Sequence, residues 1–260
     1  MNRIDRLFQT KRSNILSIYF TAGYPFTDST SEIITNLVLA GVDMIEIGMP
    51  FSDPLADGHV IQRSSETALK NGMSIKLLFN QLADIRKKIT IPLLLMGYIN
   101  PVLKFGIDDF CYNCARIGID GVILPDLPPE IYSDQYSGFF KKNGLHNIFL
   151  ISPRSDDKRI EMIDSISQGF IYMVSSSSTT GTKAGFSEDQ ISYFKRIKKM
   201  NLTNPRLIGF GISDGNSFIE ACKFAEGAVI GSAFIKILGE KGVYSENIRQ
   251  FIYKIKAGKE

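Results

Sequence analysis

Short apolar runs of strand length recur along the whole 260-residue chain, and segments with helical periodicity separate them. Apolar runs of roughly four to eight residues predict buried strands, whereas apolar residues spaced three and four apart predict amphipathic helices. Eight strands are predicted in this way, at residues 15–21, 42–47, 91–97, 121–124, 147–151, 169–174, 206–209 and 228–230. Helices are predicted between them, including residues 31–40, 75–89, 107–117, 130–142, 187–200 and 215–224.

Eight successive strand–helix units in about 250 residues are typical of a closed (β/α)8 barrel, the TIM barrel. We therefore expect one α/β barrel domain spanning residues 1–260, with an extra N-terminal helix at residues 3–11 that covers the barrel bottom. An open, doubly wound sheet is the main alternative fold. The loops that follow barrel strands gather at one face, so the search for a site narrows to the C-terminal ends of the strands.

Composition excludes several classes of protein. The chain is 44% hydrophobic and 22% charged with a net charge of +3, which excludes a disordered chain and gives no field that favours nucleic acid. The first twelve residues are charged throughout and there are only three cysteines, so we expect a cytoplasmic protein. Neither the Cys111–Cys114 pair, inside an apolar helical pattern, nor His59 and His146 supplies a metal-ligand set, and we expect no metal.

Glu46 is the first candidate for chemistry. Side chains alternate along a strand, so Val42, Met44 and Glu46 share one face, while Ile45 and Ile47 share the face that suits packing against helices. Glu46 is therefore expected to point into the barrel near its rim. Burial would raise the pKa of this carboxyl group toward the range useful to a general acid or base. A structural glutamate, bonded to a lysine or to backbone amides, is an equally open interpretation.

The loop after this strand, residues 48–58, carries two further carboxylates and two prolines. Prolines stiffen a loop, and aspartates commonly cap turns and helix starts. Asp53 and Asp57 are therefore either chemical or structural, and the residue pattern alone leaves both alternatives open.

Glycines end three late strands and predict a phosphate site. Gly181 follows the sixth strand, Gly211 follows the seventh, and Gly231 with Ser232 follows the eighth and opens a helix. Phosphate needs converging backbone N–H groups and the positive end of a helix, and glycine lets the backbone approach closely. Barrel enzymes often bind phosphate after the seventh and eighth strands, so we expect a phosphorylated ligand here.

The segment EIGMPFSDPLADG at residues 46–58 closely resembles the signature of the tryptophan synthase α-subunit family. FTAGYP at residues 20–25, GFGIS at residues 209–213 and GSA at residues 231–233 are similar to the same family in the same order. The resemblance covers essentially the whole chain. It implies a carbon–carbon lyase that cleaves indole-3-glycerol phosphate to indole and glyceraldehyde 3-phosphate in tryptophan biosynthesis, with no organic cofactor.

The resemblance also implies roles for individual residues. Glu46 corresponds to the family's general acid/base and Asp57 to the aspartate that binds the indole nitrogen. The phosphate would be bound by Gly181, Gly211, Gly231 and Ser232. The indole pocket would contain Tyr19, Met96, Ile123, Tyr172 and Phe210. The family further implies a pyridoxal-phosphate-dependent β subunit in a heterotetramer of two α and two β chains, with Asp53 contacting a basic residue of that partner or merely capping a turn.

Two departures from the family pattern stand out. The loop that usually reads Gly-Val-Thr-Gly reads STTG at residues 178–181. Its last two positions agree with the family, so we expect the phosphate contact to be kept although the first glycine is lost. Met96 stands where leucine is more common, a volume-conserving exchange.

Two other functions remain as alternatives. One is a subunit that mainly activates a partner and turns over slowly. The other is a different phosphate-binding barrel, an isomerase or cyclase, which needs a lysine or two aspartates at strand ends; besides Glu46, the sequence offers Asp126 and no lysine partner.

Overall fold

The computed structural model describes residues 1–175, 185–240 and 244–259, and a parallel β sheet forms its centre. Its strands are β1 (Ile15–Thr21), β2 (Met44–Gly48), β3 (Leu93–Met96), β4 (Gly121–Ile123), β5 (His146–Ile148), β6 (Leu150–Ile151), β7 (Ile171–Val174), β8 (Arg206–Gly209) and β9 (Gly227–Ile230). Neighbouring strands follow the order β5-β4-β3-β2-β1-β9-β8-β7-β6.

The two ends of this order, β5 and β6, are consecutive in the chain and only Phe149 separates them. They form the two halves of the predicted fifth strand: β5 pairs with β4, and β6 pairs with β7. The sheet therefore closes on itself as an eight-membered barrel, and the predicted TIM-barrel fold is confirmed.

Helices follow the strands around the barrel. They are α1 (Arg3–Thr10), α2 (Thr30–Leu39), α3 (His59–Lys70), α4 (Ile75–Gln81), α5 (Ile99–Phe105), α6 (Ile107–Ile117), α7 (Pro129–Ile131), α8 (Ser137–Lys142), α9 (Asp157–Ile166), α10 (Glu188–Lys199), α11 (Gly215–Cys222), α12 (Ser232–Leu238) and α13 (Tyr244–Lys256). A π-helical stretch, Tyr132–Tyr136, joins α7 to α8, so the predicted helix at 130–142 is continuous. The predicted helix at 75–89 is interrupted: α4 ends at Gln81, and a separate 3₁₀ turn follows at Ile85–Lys87.

Strand alternation divides the core into two shells. Met44, Leu94 and Ile123 belong to a cluster inside the barrel, whereas Ile45 and Ile47 pack in the outer cluster beneath the helices. Val42 does not share the inward face of Glu46 as predicted. It precedes β2, which begins at Met44, and it packs in the outer cluster instead.

The extra helix α1 covers the barrel bottom, as predicted. Ile4 is fully buried in the interior cluster, and the Phe8 ring packs 5.8 Å from that of Phe170. Asp120, only 3% exposed, accepts from Arg3 at 2.9 Å and from Arg86 at 2.5 Å, which ties the helix to the barrel. Because this helix covers the bottom, the C-terminal ends of the strands form the opposite face, where the sequence places the candidate site residues.

Among the described residues, no helix is both long and apolar enough to cross a membrane. Nor does that part of the chain bring three or more His, Cys, Asp or Glu side chains together as a metal site.

Candidate active site

Glu46 lies inside the barrel, on the face that strand alternation assigns to it. Its neighbours in register are Tyr19 on β1 and Leu94 on β3, and its side chain is 0% exposed. Ser17 Oγ donates a hydrogen bond of 2.9 Å to Glu46 Oε1. Glu46 Oε2 is buried and has no hydrogen-bond partner among the described residues. Burial raises the pKa of Glu46 to about 8, and the hydrogen bond from Ser17 opposes that rise.

Asp57 lies in the loop between β2 and α3, and Tyr98 holds it. The Tyr98 hydroxyl donates to Asp57 Oδ2 at 3.1 Å and accepts from the Ala56 N–H at 3.0 Å. The Asp57 N–H in turn donates to the Pro54 carbonyl at 3.0 Å, which closes a tight turn. Burial raises the pKa of Asp57 to about 6, against the opposing hydrogen bond from Tyr98.

These two carboxyl groups differ in protonation at neutral pH. Because the pKa of Glu46 is about 8 and that of Asp57 about 6, Glu46 is protonated and Asp57 ionised between those values. Two acidic residues whose environments separate their pKa values can divide the roles of acid and anion. The arrangement can therefore donate a proton from inside the barrel while an anion stabilises positive charge nearer the rim.

Two of the predicted indole-pocket residues, Tyr19 and Met96, line a cavity together with Asp57. A small cavity of about 10 Å³ at the rim is lined by Tyr19, Met49, Phe51, Pro54, Asp57, Ser65, Met96, Gly97, Tyr98 and Pro125. Ile123 and Tyr172 are buried in the interior cluster, and Phe210 packs edge-on against Tyr172 with ring centroids 5.8 Å apart. Glycines make room for the tyrosines, because a Cβ at Gly48 or at Gly209 would collide with the hydroxyl of Tyr19 or of Tyr172, respectively.

The predicted phosphate residues lie at two adjacent strand ends. Gly211 follows β8 with a φ of 70°, and Gly231 follows β9 as the residue that precedes α12. Since β8 and β9 are paired, these ends are neighbours, and Ser232 opens α12 beside them. The first turn of a helix presents N–H groups that lack acceptors within the helix. Gly181 and the rest of the 178–181 loop lie outside the described residues.

Other sequence candidates have clear surroundings. Asp126 accepts the Ile99 N–H at 3.0 Å and so caps the start of α5, which accounts for this strand-end carboxylate structurally. The Asp53 carboxylate is exposed and accepts the Ser52 hydroxyl at 2.6 Å. His59 is exposed at the start of α3, whereas His146 is buried with Nε2 2.9 Å from Asp5 Oδ1 at the barrel bottom.

Two polar residues of the site were missed by sequence reasoning. Ser17 shares the inward face of Tyr19, but only the register of β1 on β2 reveals that it reaches Glu46. Tyr98 lies two residues beyond Met96, where alternation continued past the strand end could have indicated it. A hydroxyl beside a carboxyl group produces no spacing signal within one segment of sequence.

Known proteins match this chain over nearly its whole length. The family model described as "Tryptophan synthase alpha chain" matches residues 5–258. The tryptophan synthase alpha chain of Christiangramia forsetii is 54% identical over 99% of each chain, and that of Flavobacterium johnsoniae is 55% identical over 98% of this chain and all of the relative. The solved tryptophan synthase subunit alpha of Legionella pneumophila superposes with a TM-score of 0.89 at 32% identity, covering 99% of this chain and 98% of the other.

Proposed function

Because this chain belongs to the tryptophan synthase alpha chain family, we propose that it catalyses the retro-aldol cleavage of indole-3-glycerol phosphate to indole and glyceraldehyde 3-phosphate. Two carboxyl groups with different pKa values, Glu46 inside the barrel and Asp57 at its rim, are the main support for this activity. Such a lyase step belongs to tryptophan synthesis.

The reaction needs a proton to be added at C3 of the indole ring and another proton to be removed from a glycerol hydroxyl. Protonated Glu46 donates to C3 of the indole ring, which makes the bond from C3 to the glycerol chain breakable and leaves positive charge at the ring nitrogen. Ionised Asp57 stabilises that charge through the ring N–H.

Glu46, now ionised, takes the proton of the hydroxyl on the glycerol carbon bonded to C3. The oxygen's electron pair forms the aldehyde carbonyl, and the electrons of the broken C–C bond return to the ring. Glu46 therefore ends the cycle in the protonated state in which it began.

The pocket supports recognition of both halves of the substrate. The indole would pack against an apolar, largely aromatic lining formed by Tyr19, Met96, Ile123, Tyr172 and Phe210. Backbone N–H groups at Gly211, Gly231 and Ser232 would bind the phosphate, with Gly181 completing the site. The isomerase or cyclase alternative is weakened, because the strand-end Asp126 that it would use is occupied as a helix cap.

A β subunit is the proposed partner, in a heterotetramer of two α and two β chains. Indole is small and apolar, so its transfer benefits from a partner seated at the face where it is released. The loop at residues 50–58 lies on that face and presents an exposed Asp53 carboxylate together with Leu55, which is 90% exposed.

The three cysteines are free thiols, which supports a reducing cytoplasm as the site of assembly.

Replacement of Glu46 by Gln tests the proposed activity. Indole release from indole-3-glycerol phosphate should fall by at least about 10²-fold in kcat, since general acid–base catalysis contributes about 10²- to 10⁴-fold. Glu66→Gln on α3 is the matched control, because that carboxylate is exposed and forms an ion pair with Lys70 at 2.6 Å. A Glu46→Gln rate within about tenfold of the unaltered chain would contradict the assignment.

A further inference from the structure

Glu46 has a single hydrogen-bond partner among the described residues, and that partner is not a charged group. Ser17 Oγ donates to Oε1 at 2.9 Å, while Oε2 is buried without a partner. Ser17 itself is 0% exposed and lies on β1, in register with Met44 of β2. The two oxygens of the carboxyl group are therefore not equivalent.

The surroundings leave few other groups that could orient Glu46. Met44 and Leu94 flank it on the inner face and are apolar. Among the residues that the structure describes, the titratable groups that face it are Tyr19 on β1 and Tyr172 on β7, with Asp57 in the loop after β2. Burial raises the pKa values of both tyrosines far above their usual range, so both hydroxyls remain neutral.

We infer that Ser17 is a positioning residue for Glu46, an inference that rests on the proposed lyase activity. The Ser17 hydroxyl holds Oε1, which leaves Oε2 free to exchange a proton with the substrate. The proton on Oε2 passes to indole C3, and the O–H electron pair remains on the carboxylate. Oε2 then takes the proton of the glycerol hydroxyl. The Ser17 proton stays on Ser17 throughout, because the hydroxyl only donates a hydrogen bond.

This arrangement matters most while Glu46 is ionised. A hydrogen bond to a carboxylate is stronger than one to a neutral carboxyl group, so Ser17 stabilises the state that forms after C3 is protonated. Without it, the carboxyl group gives up its proton less readily and is free to turn. Loss of the hydroxyl should therefore lower kcat by about tenfold, with KM nearly unchanged, because a hydrogen bond to a charged group contributes about that much.

The decisive experiment reads the Glu46 carboxyl group directly. Infrared difference spectra of the full chain are recorded against pH, and the C=O stretch of protonated Glu46 is identified by subtracting the Glu46→Gln spectrum. In Ser17→Ala, the band should move to higher frequency and its titration midpoint should rise by about one pH unit. Ser17→Thr should restore both, since it retains the hydroxyl.

Two further variants separate the hydroxyl from the packing. Ser17→Cys keeps nearly the same volume but offers only a weak S–H donor, so it should behave like Ser17→Ala. Ser64→Ala is the matched control: Ser64 is buried like Ser17, but its hydroxyl bonds the Thr21 hydroxyl and the Ile61 carbonyl. It should leave the Glu46 band and midpoint where they are.

An unchanged band and midpoint in Ser17→Ala or Ser17→Cys would overturn the inference. The spectra require no turnover, so they test the role of Ser17 even in a chain that has no lyase activity. Failure of the unaltered chain to release indole from indole-3-glycerol phosphate would overturn the proposed function, not the hydrogen-bonding role of Ser17. In an active chain, a kcat loss in Ser17→Ala that Ser17→Thr fails to restore would also contradict the positioning role.

Discussion

At the scale of single residues, the site depends on how burial acts on carboxyl groups. Desolvation raises the pKa of both Glu46 and Asp57, and the deeper residue is raised further. Each has one hydroxyl donor that opposes the rise, Ser17 for Glu46 and Tyr98 for Asp57. The two hydroxyls therefore adjust the proton states on which the proposed chemistry depends.

Tyr98→Phe tests this view of Asp57. Losing the hydroxyl removes a hydrogen bond that favours the ionised form, so the pKa of Asp57 should rise above about 6. Fewer Asp57 side chains are then ionised at pH 6, and indole release relative to the unaltered chain should fall most there and recover toward pH 8. The measurement is the ratio of kcat/KM values across pH, in which titration of the substrate phosphate cancels.

Tyr112→Phe is the control for Tyr98→Phe, because Tyr112 is 60% exposed on α6, away from the site. A ratio for Tyr98→Phe that is constant across pH would mean that Tyr98 only supports the loop through Ala56.

At the level of helices and strands, apolar runs sufficed to predict the barrel strands, and side-chain alternation along β2 sufficed to predict the inward face of Glu46. Contacts between segments that are distant in the chain could not be predicted from the sequence. The helix predicted at 75–89 ends at Gln81, and Arg86 in the following 3₁₀ turn donates to the Gly118 and Ile91 carbonyls and to Asp120. Periodicity cannot register such tertiary contacts. Helix α3 was not among the predicted elements, and it begins after Gly58 with no side-chain cap to signal it.

The phosphate-binding strand ends make a prediction at this scale. Gly211→Ala should raise KM for indole-3-glycerol phosphate at least about tenfold, because a β-carbon and a disturbed left-handed backbone would misplace the N–H groups that meet the anion. Gly211 has a φ of 70°, and apart from its chain neighbours no atom of the described residues lies within 4 Å of its Cβ position. A side chain there costs about 1–2 kcal/mol of backbone strain.

Gly72→Ala is the matched control for Gly211→Ala, since Gly72 also has a positive φ, of 87°, and open space, but lies after α3. Thermal unfolding should show similar destabilisation of both variants. Equal KM values in the two variants would place the phosphate elsewhere.

In the whole molecule, the two ends of the barrel differ. The N-terminal helix covers the bottom, whereas the loops at the C-terminal ends of the strands are accessible to a partner. The N-terminal helix is bound to the barrel through Asp120 and His146, whereas the loop at residues 50–58 contains no fully buried residue. Residues at an interface cannot be recognised from one sequence, because an exposed aspartate has the same pattern whether it meets solvent or a basic partner. The β-subunit contact therefore rests on family membership and on the position of this loop.

Asp53→Ala tests that contact. Mixing the unaltered chain with its β subunit should give a heterotetramer and faster indole release, and Asp53→Ala should reduce the acceleration severalfold while the isolated chain keeps its basal rate. Glu161→Ala, which removes an equally exposed charge from α9, should change neither. Sedimentation of the mixture as separate species, with unchanged rates, would contradict the proposed assembly.

Neutral Glu46 and ionised Asp57 should coexist at neutral pH, and carboxyl ¹³C NMR can follow the protonation of each side chain separately. The chain is labelled at the Glu and Asp carboxyl carbons, and the two resonances are assigned by their loss in Glu46→Gln and Asp57→Asn. We expect titration midpoints of about 8 for Glu46 and about 6 for Asp57. A Glu46 midpoint near the ordinary value of 4.5, or below that of Asp57, would contradict this expectation.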